Sequence, residues 1–544
     1  MIMFFIKFEK IYAQMEEYYR QLLFRHLDGI VCIPILGCLQ ENGIIDYIKL
    51  NENFTLHEVA QFKKSNVGYL HVALRCLASQ GILKYQSGEN PDAIVFKHSE
   101  KTLPFLSLVT LIQPVYARFK KSDFFTSVHW NSSHKEEVQF LFSEYRNIQN
   151  QLKKEISSYA EDLRLMLEGF FVGPIIVGLG MTGMFHNYFM ESSFTAEEFH
   201  KEPQLFETIL EFLSQLGWFS EKNKHYQFTD LGLSFAKKAT AYGVTVSYLP
   251  MFQSLDKLLF GNATEVKEYT LLETEKHVNR EMNVWGSGGA HSTYFKAIDS
   301  VILSIFNQPL DQQPKGILDM GCGNGAFLIH LYTVIERFTL RGKHLQDYPL
   351  FLVGVDYNTA ALKVTRSNLI SADIWAKVIW GDISDPSQLA QDLLENYAIE
   401  LGDLLNVRTF LDHNRIWEEV VTTSEVKYGL SSGAYASKGQ FLSSEIVQEN
   451  LKQHFLKWKP YIEKNGLLLI ELHTVNPNLV ANHLGKTAAT AYDATHGFSD
   501  QYIVEIDNFI DVLNRIGLCS QSEYFKKYPN TDLATVSLHV IKSR

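Results

Sequence analysis

The sequence predicts an α/β domain behind a helical front half in which one structural unit is used twice. The first sign is the segment at residues 316–331, GILDMGCGNGAFLIHL, which has the pattern of a strand, a glycine turn and a helix. From there to the C-terminus apolar runs alternate with helices, as in a mostly parallel sheet wrapped by helical crossovers. The second sign is a repeated pattern before residue 240.

The front half repeats itself at a nearly constant spacing. Three pairs of segments match in order: LDGIVCIPIL (27–36) with LEGFFVGPII (167–176), FTLHEVA (54–60) with FTAEEFH (194–200), and LRCLASQGIL (74–83) with LEFLSQLGWF (210–219). Each copy predicts an apolar helix with a proline, a helix opened by a threonine cap, a helix that stops before a glycine, and a strand. We therefore expect two winged-helix-like units, used for structure or dimerisation rather than for DNA binding.

Composition and charge exclude several classes of function. With 46% hydrophobic and 20% charged residues, the 544-residue chain has the composition of a soluble globular protein. A net charge of -11 makes nucleic acid an unexpected partner, because duplex binding needs a basic surface. The five scattered cysteines favour a reducing, cytoplasmic compartment. The most apolar stretch, residues 169–185, contains five glycines and a proline, so we expect a buried helix and no membrane span.

We divide the chain into four parts. These are a first winged-helix-like unit (1–140), a second such unit (141–240), a helical lid or linker (241–311) and a catalytic core (312–544). The third part ends in WGSGGAHSTYF at residues 285–295. Its glycines predict a flexible lid or ligand-contacting turn, with an ordinary interdomain hinge as the alternative. Gly289 and His291 are candidate cofactor contacts in this segment.

The core opens with a cradle for a cofactor. Gly321, Gly323 and Gly325 alternate along the turn, and Asp319 ends the strand before it. Glycines let the backbone turn sharply and approach a ligand closely, and the helix start offers free N–H groups. The spacing is GxGxG, which differs from the GxGxxG of dinucleotide folds.

Two further strands end in acids. FLVGVDYN ends in Asp356, which can accept two ribose hydroxyls, and VIWGDIS carries Asp382, which can accept from an adenine amine. ILDMGCGNG, VGVD and WGDIS in this order resemble class I S-adenosylmethionine-dependent methyltransferases over roughly residues 312–544. The resemblance implies a Rossmann-like core with a seven-stranded, mostly parallel sheet. It also implies that Asp319 and the glycine turn lie near the methionine part of S-adenosylmethionine.

The reactive groups are expected after the fourth and fifth strands, because open α/β sheets bind ligands outside the carboxyl ends of their strands. DLLNVRTFLDHNR presents Asp412 and His413, and GLLLIELHTVNPN ends near His473. A polar loop at 487–502 contains His496 and Gln501. Imidazole and oxygen groups from this loop could complete a mononuclear metal site with His473, although the sequence has no tight ligand pair.

LDHNR, IELHTV, DATHGFSDQY and GSGGAH resemble more closely the C-methyltransferases of polyketide synthase loading modules, of the apratoxin type. The resemblance implies S-adenosylmethionine and a mononuclear divalent metal, iron or manganese, as cofactors. It implies methylation of the α-carbon of a malonyl or methylmalonyl unit on an acyl carrier protein, with the metal stabilising the enolate. His473 and Gln501 would be the metal ligands, with His496 as the alternative. Asp412 or His413 would position water or take the α-proton.

Other functions are compatible with the same residues. A small-molecule O-methyltransferase would also place a winged-helix-like dimerisation region before this core and use a histidine base. A methyltransferase-fold regulator that contacts DNA is the alternative outside the enzymes. For carrier recognition, Lys452, Lys457 and Lys459 could form a local basic patch or only a solvated helix face. The paired front modules make a homodimer plausible.

Overall fold

The chain folds into two compact units. The computed structural model describes residues 2–155, 157–267, 275–420 and 427–544, without the side chains of residues 2–12 and 290–293. The first unit consists of Met1–Ser287, Lys438–Phe441 and Asn476–Ser499. The second consists of Gly288–Ser437, Leu442–Val475 and Asp500–Arg544.

The described residues form helices throughout the chain and strands mainly in the second unit. The helices are α1 (Ile2–Glu41), α2 (Ile44–Leu50), α3 (Leu56–Lys63), α4 (Val67–Ser79), α5 (Thr102–Leu108), α6 (Gln113–Phe119), α7 (Lys135–Leu152), α8 (Ser158–Met181), α9 (Asn187–Glu191), α10 (Ala196–Phe199), α11 (Pro203–Gln215), α12 (Asp230–Lys237), α13 (Thr240–Ser247), α14 (Leu249–Phe252), α15 (Leu255–Phe260), α16 (Thr264–Lys267), α17 (Arg280–Phe306), α18 (Ala326–Phe338), α19 (Leu340–Lys343), α20 (Thr359–Ser371), α21 (Pro386–Tyr397), α22 (Ser444–Ile462), α23 (Pro477–Ala481), α24 (Ala489–Phe498) and α25 (Ile506–Arg515). The strands are β1 (Asn53–Thr55), β2 (Leu83–Gln86), β3 (Val95–His98), β4 (Phe219–Lys222), β5 (His225–Phe228), β6 (Gly316–Met320), β7 (Phe351–Asp356), β8 (Lys377–Trp380), β9 (Leu404–Thr409), β10 (Tyr435–Ser437), β11 (Gln440–Leu442), β12 (Leu467–Leu472), β13 (Leu518–Ser520), β14 (Lys526–Tyr528) and β15 (Val536–Ser543).

The second unit is organised around a mostly parallel sheet, which confirms the predicted fold class. Its strands run in the order β13-β15-β12-β9-β6-β7-β8, and β14 pairs with β15 beside this path. The strands β12, β9, β6, β7 and β8 are parallel, whereas β15 is antiparallel to its neighbours. The carboxyl ends of the five parallel strands therefore meet at one edge of the sheet.

The two front copies pack against each other through equivalent glycines. A Cβ atom on Gly29 in α1 would lie 2.0 Å from the Met166 carbonyl oxygen in α8. A Cβ atom on Gly169 in α8 would lie 2.2 Å from the His26 Cα in α1. Gly29 and Gly169 occupy the same place in the two matched segments, so α1 and α8 approach each other reciprocally. The duplicated sequence thus produces a pair of helices related by a local twofold arrangement.

The predicted start and stop signals of the repeat are present in the structure. Thr55 caps α3 with a complete capping box, in which its side chain accepts from the Glu58 N–H and the Glu58 side chain accepts from the Thr55 N–H. The matching Thr195 precedes α10 without a side-chain cap hydrogen bond. Gly81 and Gly217, which follow α4 and α11, have φ values of 70° and 83°. Both third helices therefore end at a left-handed glycine, as expected.

Two apolar helices of the first unit are long enough to cross a membrane by length and composition alone. They are Ala13–Glu41 of α1 and the whole of α8, and 89% and 83% of their most apolar stretches are buried. The α8 helix contains the expected apolar stretch with Pro174 inside it. Burial on this scale is typical of core helices in a globular unit.

The segment WGSGGAH is helical, so the expectation of a flexible lid or turn is wrong in its local structure. Residues 285–291 lie inside α17. The glycines serve close packing: a Cβ on Gly286 would lie 2.6 Å from the Gly243 Cα. The glycines do allow a close backbone approach, as the sequence predicted, but the approach is between Gly286 of helix α17 and Gly243 of α13, and the segment is not a flexible turn.

The predicted polar loop at 487–502 is also wrong, because most of it forms the buried helix α24. Its small residues allow close packing on α4, and a Cβ on Gly497 would lie 2.7 Å from Val72 Cγ2. The Asp493 carboxylate forms a buried ion pair with Arg75 of α4. A helix buried on most sides shows no amphipathic rhythm, and that absence is what suggested a loop.

We predict that the reciprocal glycine contact is required for the stability of the first unit. Gly169→Ala forces a methyl group against the α1 backbone and should lower the free energy of unfolding by about 2–3 kcal/mol. Urea unfolding measures the effect. Gly402→Ala is the control, because its Cβ would approach nothing closer than the Pro460 carbonyl oxygen at 3.9 Å. Equal unfolding midpoints for the two variants would contradict the prediction.

Candidate functional site

The glycine turn after β6 has the backbone shape that the sequence predicts. Gly321, Gly323 and Gly325 have φ values of 80°, 56° and 79°, which only glycine adopts without strain. The Gly321 N–H donates to the Val355 carbonyl at 2.7 Å, so the turn is joined to the end of β7. Helix α18 begins directly after Gly325. The turn therefore presents its backbone at the carboxyl edge of the sheet.

The helix α20 and Asp356 hold this turn in place. Thr365 Oγ1 donates to the Gly323 carbonyl at 2.8 Å. Asp356 ends β7, and its carboxylate accepts from the Gly323 N–H at 3.0 Å and from the Asn358 N–H at 2.8 Å. Carboxylate oxygens have further lone pairs, so a ribose diol could also donate to Asp356.

Asp319 is the most perturbed acid of the cradle. It is 1% exposed, and neither carboxyl oxygen has a hydrogen-bond partner among the residues that the structure describes. Burial, and to a lesser extent the charge of Asp356, raises the pKa of Asp319 to about 8. A buried acid without a partner is costly, so a cationic or donor group of a ligand would satisfy it.

Asp382 follows β8 on the next strand of the sheet. It is half-buried, and one carboxylate oxygen accepts from the Ser384 N–H at 2.8 Å. Tyr357 directly follows β7, and Trp380 is the last residue of β8. Their rings are exposed, and the ring centroids lie 5.5 Å apart. Trp380 Nε1 donates to the Tyr357 carbonyl at 3.0 Å, which ties the ends of β7 and β8 together. Flat apolar surface and a carboxylate suit a nucleobase.

Gly289 lies in α17, next to a glycine that approaches the turn. A Cβ on Gly288 would lie 3.0 Å from Asn324 Nδ2, and Asn324 belongs to the glycine turn. Gly289 itself is exposed. The side chain of His291 lies outside the described residues, so its predicted cofactor contact stays a prediction.

The predicted catalytic residues after β9 lie in a short turn, Asp412–Asn414. Asp412 is fully buried, and its carboxylate accepts from Arg408 Nη1 at 2.5 Å and from His454 Nε2 at 2.8 Å. Burial raises the pKa of Asp412, but the charge of Arg408 and the hydrogen bond from His454 outweigh burial and hold the pKa below its ordinary value. The Asp412 carboxylate is therefore an anion and a weak base at neutral pH.

His413 pairs with Glu471, an acid near the end of β12. His413 Nδ1 lies 2.6 Å from the Glu471 carboxylate of β12. Since a carboxylate only accepts, Nδ1 carries the proton, and Nε2 is the basic nitrogen of the neutral ring. The second Glu471 oxygen has no partner in the described parts of the chain. This arrangement is that of a histidine base oriented by a carboxylate.

His473 is buried in a chain of hydrogen bonds. Its Nδ1 lies 3.0 Å from the Val504 carbonyl, which only accepts, so Nδ1 donates and Nε2 is left as an acceptor. Ser537 Oγ, 2.5 Å away, donates to this Nε2. Ser537 in turn accepts from His539 Nε2 at 2.6 Å. Burial lowers the pKa of His473 to about 4.

Of the three predicted metal ligands, His473 does not fit a metal site in this arrangement, and the roles of Gln501 and His496 stay predictions. His473 is 0% exposed and its Nε2 lone pair is engaged by Ser537. Gln501 and His496 are both buried, and His496 Nδ1 lies 2.7 Å from the Tyr492 carbonyl. Within the described residues, no group of three or more His, Cys, Asp or Glu side chains could hold a metal ion.

We predict that Asp319 makes the stability of the protein depend on pH. Its folded pKa of about 8 exceeds the ordinary value of 3.8, so between these values the folded chain holds a proton that the unfolded chain has released. The contribution of Asp319 to stability is therefore present below about pH 4 and is lost as the pH rises to 8. Urea unfolding from pH 5 to 8 should show Asp319→Asn gaining stability relative to the wild type.

The control for this measurement is Asp347→Asn, which changes an exposed acid of the same unit. Its stability should run parallel to that of the wild type across the same range. Parallel curves for Asp319→Asn would contradict the assigned pKa.

Comparison with protein families identifies the parts of the chain. Residues 275–539 match the AprA MT2-like methyltransferase domain, residues 168–262 match the AprA winged helix domain, and residues 19–85 match the AprA N-terminal domain. The three matches come from one type of protein, follow each other in order and cover most of the chain. No curated protein matches the chain.

The comparison with solved structures finds matches at low identity and low TM-score. An O-methyltransferase family protein from Burkholderia thailandensis is 9% identical with a TM-score of 0.40, covering 72% of this chain and 99% of its own. The O-methyltransferase NcsB1, in complex with S-adenosylmethionine, is 12% identical with a TM-score of 0.39, covering 69% and 96%. The CurJ carbon methyltransferase is 13% identical with a TM-score of 0.33, covering 80% and 98%.

The glycine turn, the acids that end β6 and β7, and the order of the family matches lead to one conclusion. The protein is a class I S-adenosylmethionine-dependent methyltransferase that resembles AprA.

Proposed function

We propose that the protein methylates the α-carbon of a malonyl or methylmalonyl thioester carried by an acyl carrier protein. The observation that carries the proposal is the hydrogen bond of 2.6 Å between His413 and Glu471. These residues follow or end β9 and β12, at the sheet edge where the glycine turn also lies. The match of residues 275–539 to the AprA MT2-like domain supports methyl transfer, and the sequence resemblance to loading-module C-methyltransferases implies a carbon acceptor.

The residues of the site supply the proton chemistry. S-adenosylmethionine, when bound, supplies an electrophilic methyl group on a sulfonium sulfur. His413 accepts the α-proton of the thioester at Nε2, and the electron pair left on the α-carbon forms the new carbon–carbon bond as the carbon–sulfur bond breaks. Glu471 stabilises the imidazolium that results. Burial of this pair excludes water, which strengthens the electrostatic interaction.

Asp319, Asp356 and the glycine turn would hold the cofactor. The unpartnered Asp319 carboxyl fits the ammonium of the methionine part, and Asp356 fits the ribose. Asp382 and the exposed rings of Tyr357 and Trp380 fit the adenine. No step of the reaction is assigned to a metal, because His473 does not fit a ligand in this arrangement, and the iron or manganese centre stays a prediction.

The charged side chains of the surface bear on two expected partner properties, binding of a carrier protein and no binding of nucleic acid. The lysines expected to form a carrier patch are paired within the second unit: Lys452 with Glu449 at 2.7 Å, Lys457 with Glu418 at 2.7 Å and Lys459 with Glu463 at 3.8 Å. We therefore expect that these three lysines form only a solvated helix face.

In the second winged-helix-like unit, an acidic surface pocket is lined by Glu207 and Glu211 of α11 and Glu221 of β4. This pocket supports the expectation of no nucleic-acid partner.

We predict that S-adenosylmethionine binding depends on Asp319 and releases a proton. Below about pH 8 the Asp319 carboxyl is protonated, so a cationic ligand must displace that proton, and affinity should increase from pH 6 to 7.5. Loss of a charged hydrogen bond should weaken binding about tenfold to a hundredfold in Asp319→Asn and remove the pH slope. Calorimetric titration measures both, with Asp347→Asn as the control. Wild-type affinity that is independent of pH would contradict the prediction.

The proposed reaction is tested with malonyl and methylmalonyl carrier protein and labelled S-adenosylmethionine, followed by mass analysis of the carrier. We expect methyl groups added on carbon, and a rate about 10²–10⁴ lower in His413→Asn. Parallel reactions with Fe(II), with Mn(II) and after exhaustive chelation decide the metal question. Full activity after chelation would remove the metal from the proposal.

An unmodified carrier together with methylation of a catechol or phenol would instead establish a small-molecule O-methyltransferase. Failure to bind S-adenosylmethionine at all would favour the regulator alternative.

A further inference from the structure

We propose that Asp412 is a positioning residue that fixes the turn carrying His413 and balances the buried positive charge around it. The proposal deepens the proposed function and rests on it for the role of His413. Asp412 was a candidate base on sequence grounds, and the contacts of its carboxylate assign it a different role.

The Asp412 carboxylate is held from two elements. Arg408 of β9 donates from Nη1 at 2.5 Å, and His454 of α22 donates from Nε2 at 2.8 Å to the same oxygen. Arg408 is fully buried and its guanidinium lies 3.8 Å from the centre of the Trp458 ring. Two donors hold the Asp412 carboxylate, and the Trp458 ring packs against one of them, Arg408. Asp412 therefore cannot shift without breaking charged hydrogen bonds.

The backbone of the turn is tied to α22 and to the segment before α25. Arg415 donates from Nη1 to the Asp412 carbonyl at 3.0 Å and from Nε to Asn450 Oδ1 at 2.7 Å. The Tyr502 N–H donates to the His413 carbonyl at 2.8 Å. Hydrogen bonds therefore anchor Asp412, His413 and Arg415. These contacts hold the His413 backbone where its imidazole reaches Glu471.

Asp412 also sets the charge balance around the base. His413 contacts Glu471 of β12, and the Tyr502 N–H donates to its carbonyl. Its neighbour Asp412 contacts Arg408, Arg415 and His454, and the charges of His413 and Glu471 act on His473. The two guanidinium groups are balanced by the two carboxylates. Removing the Asp412 charge leaves an excess of positive charge, which disfavours a protonated His413.

The test compares Asp412→Asn with His413→Asn and the wild type in the full chain. We expect Asp412→Asn to bind S-adenosylmethionine normally and to keep the KM for the carrier, while kcat falls about 100-fold because the base is misplaced. The acidic limb of its pH–rate profile should move to lower pH. Loss of the acidic limb, together with a fall in activity to that of His413→Asn, would identify Asp412 as the base and overturn the proposal, and unchanged activity would deny it any role.

A second pair of variants decides the question if Asp412→Asn does not fold. His454→Gln keeps an N–H donor toward Asp412, whereas His454→Leu removes it. We expect a lower kcat in the leucine variant, by about tenfold, and near-normal kcat in the glutamine variant. Equal rates in the two variants would overturn the proposal.

A measurement without substrate separates this proposal from the proposed function. NMR of ¹³C-labelled histidine follows the titration of His413 directly, with His413→Asn to assign the signal. A lower titration midpoint in Asp412→Asn supports the positioning role even if the wild type methylates no carrier. An unchanged midpoint overturns the positioning role even if the carrier is methylated.

Discussion

A salt bridge sealed from solvent, between Arg408 and Asp412, fixes where the chain goes after strand β9. Separating such a pair would leave two uncompensated charges in the protein interior, so the following turn has a single position. That position brings His413 to Glu471, which is 58 residues further along the chain. The salt bridge therefore contributes to geometry: it places His413, the proposed base, at the edge of the sheet where the glycine turn lies.

The cofactor turn depends on a different constraint, the backbone conformation of three glycines. Their positive φ values let the chain reverse between β6 and α18 and leave backbone N–H groups at the edge of the sheet. Asp319 lies buried beside this turn without a partner in the described structure. A site that keeps an unsatisfied acid lowers the stability of the empty protein, and a bound cation restores it. Asp319 therefore lowers the stability of the empty protein and, by the proposed function, strengthens the binding of the cofactor.

Patterns within short segments of the sequence predicted much of the fold. They did not predict contacts between residues that are far apart in the chain. The repeat, the glycine stops at Gly81 and Gly217, and the alternation of strands and helices in the core follow from patterns within short segments. Helix α24 was mistaken for a loop because it is buried on most sides, so its apolar residues do not recur with a helical period. The pairing of His413 with Glu471, and the engagement of His473 by Ser537, depend on strand register, which a single sequence does not reveal. For the same reason His473 was expected to be accessible to a metal.

The central claim is that His413 removes the α-proton of a carrier-bound thioester, and isotope exchange tests it most directly. Carrier protein bearing an α-deuterated methylmalonyl group is incubated with the protein without S-adenosylmethionine, and loss of deuterium is followed by mass spectrometry. We predict exchange above the uncatalysed rate with the wild type and none above it with His413→Asn or Glu471→Gln. Exchange that is equally fast in the wild type and the His413 variant would contradict the account.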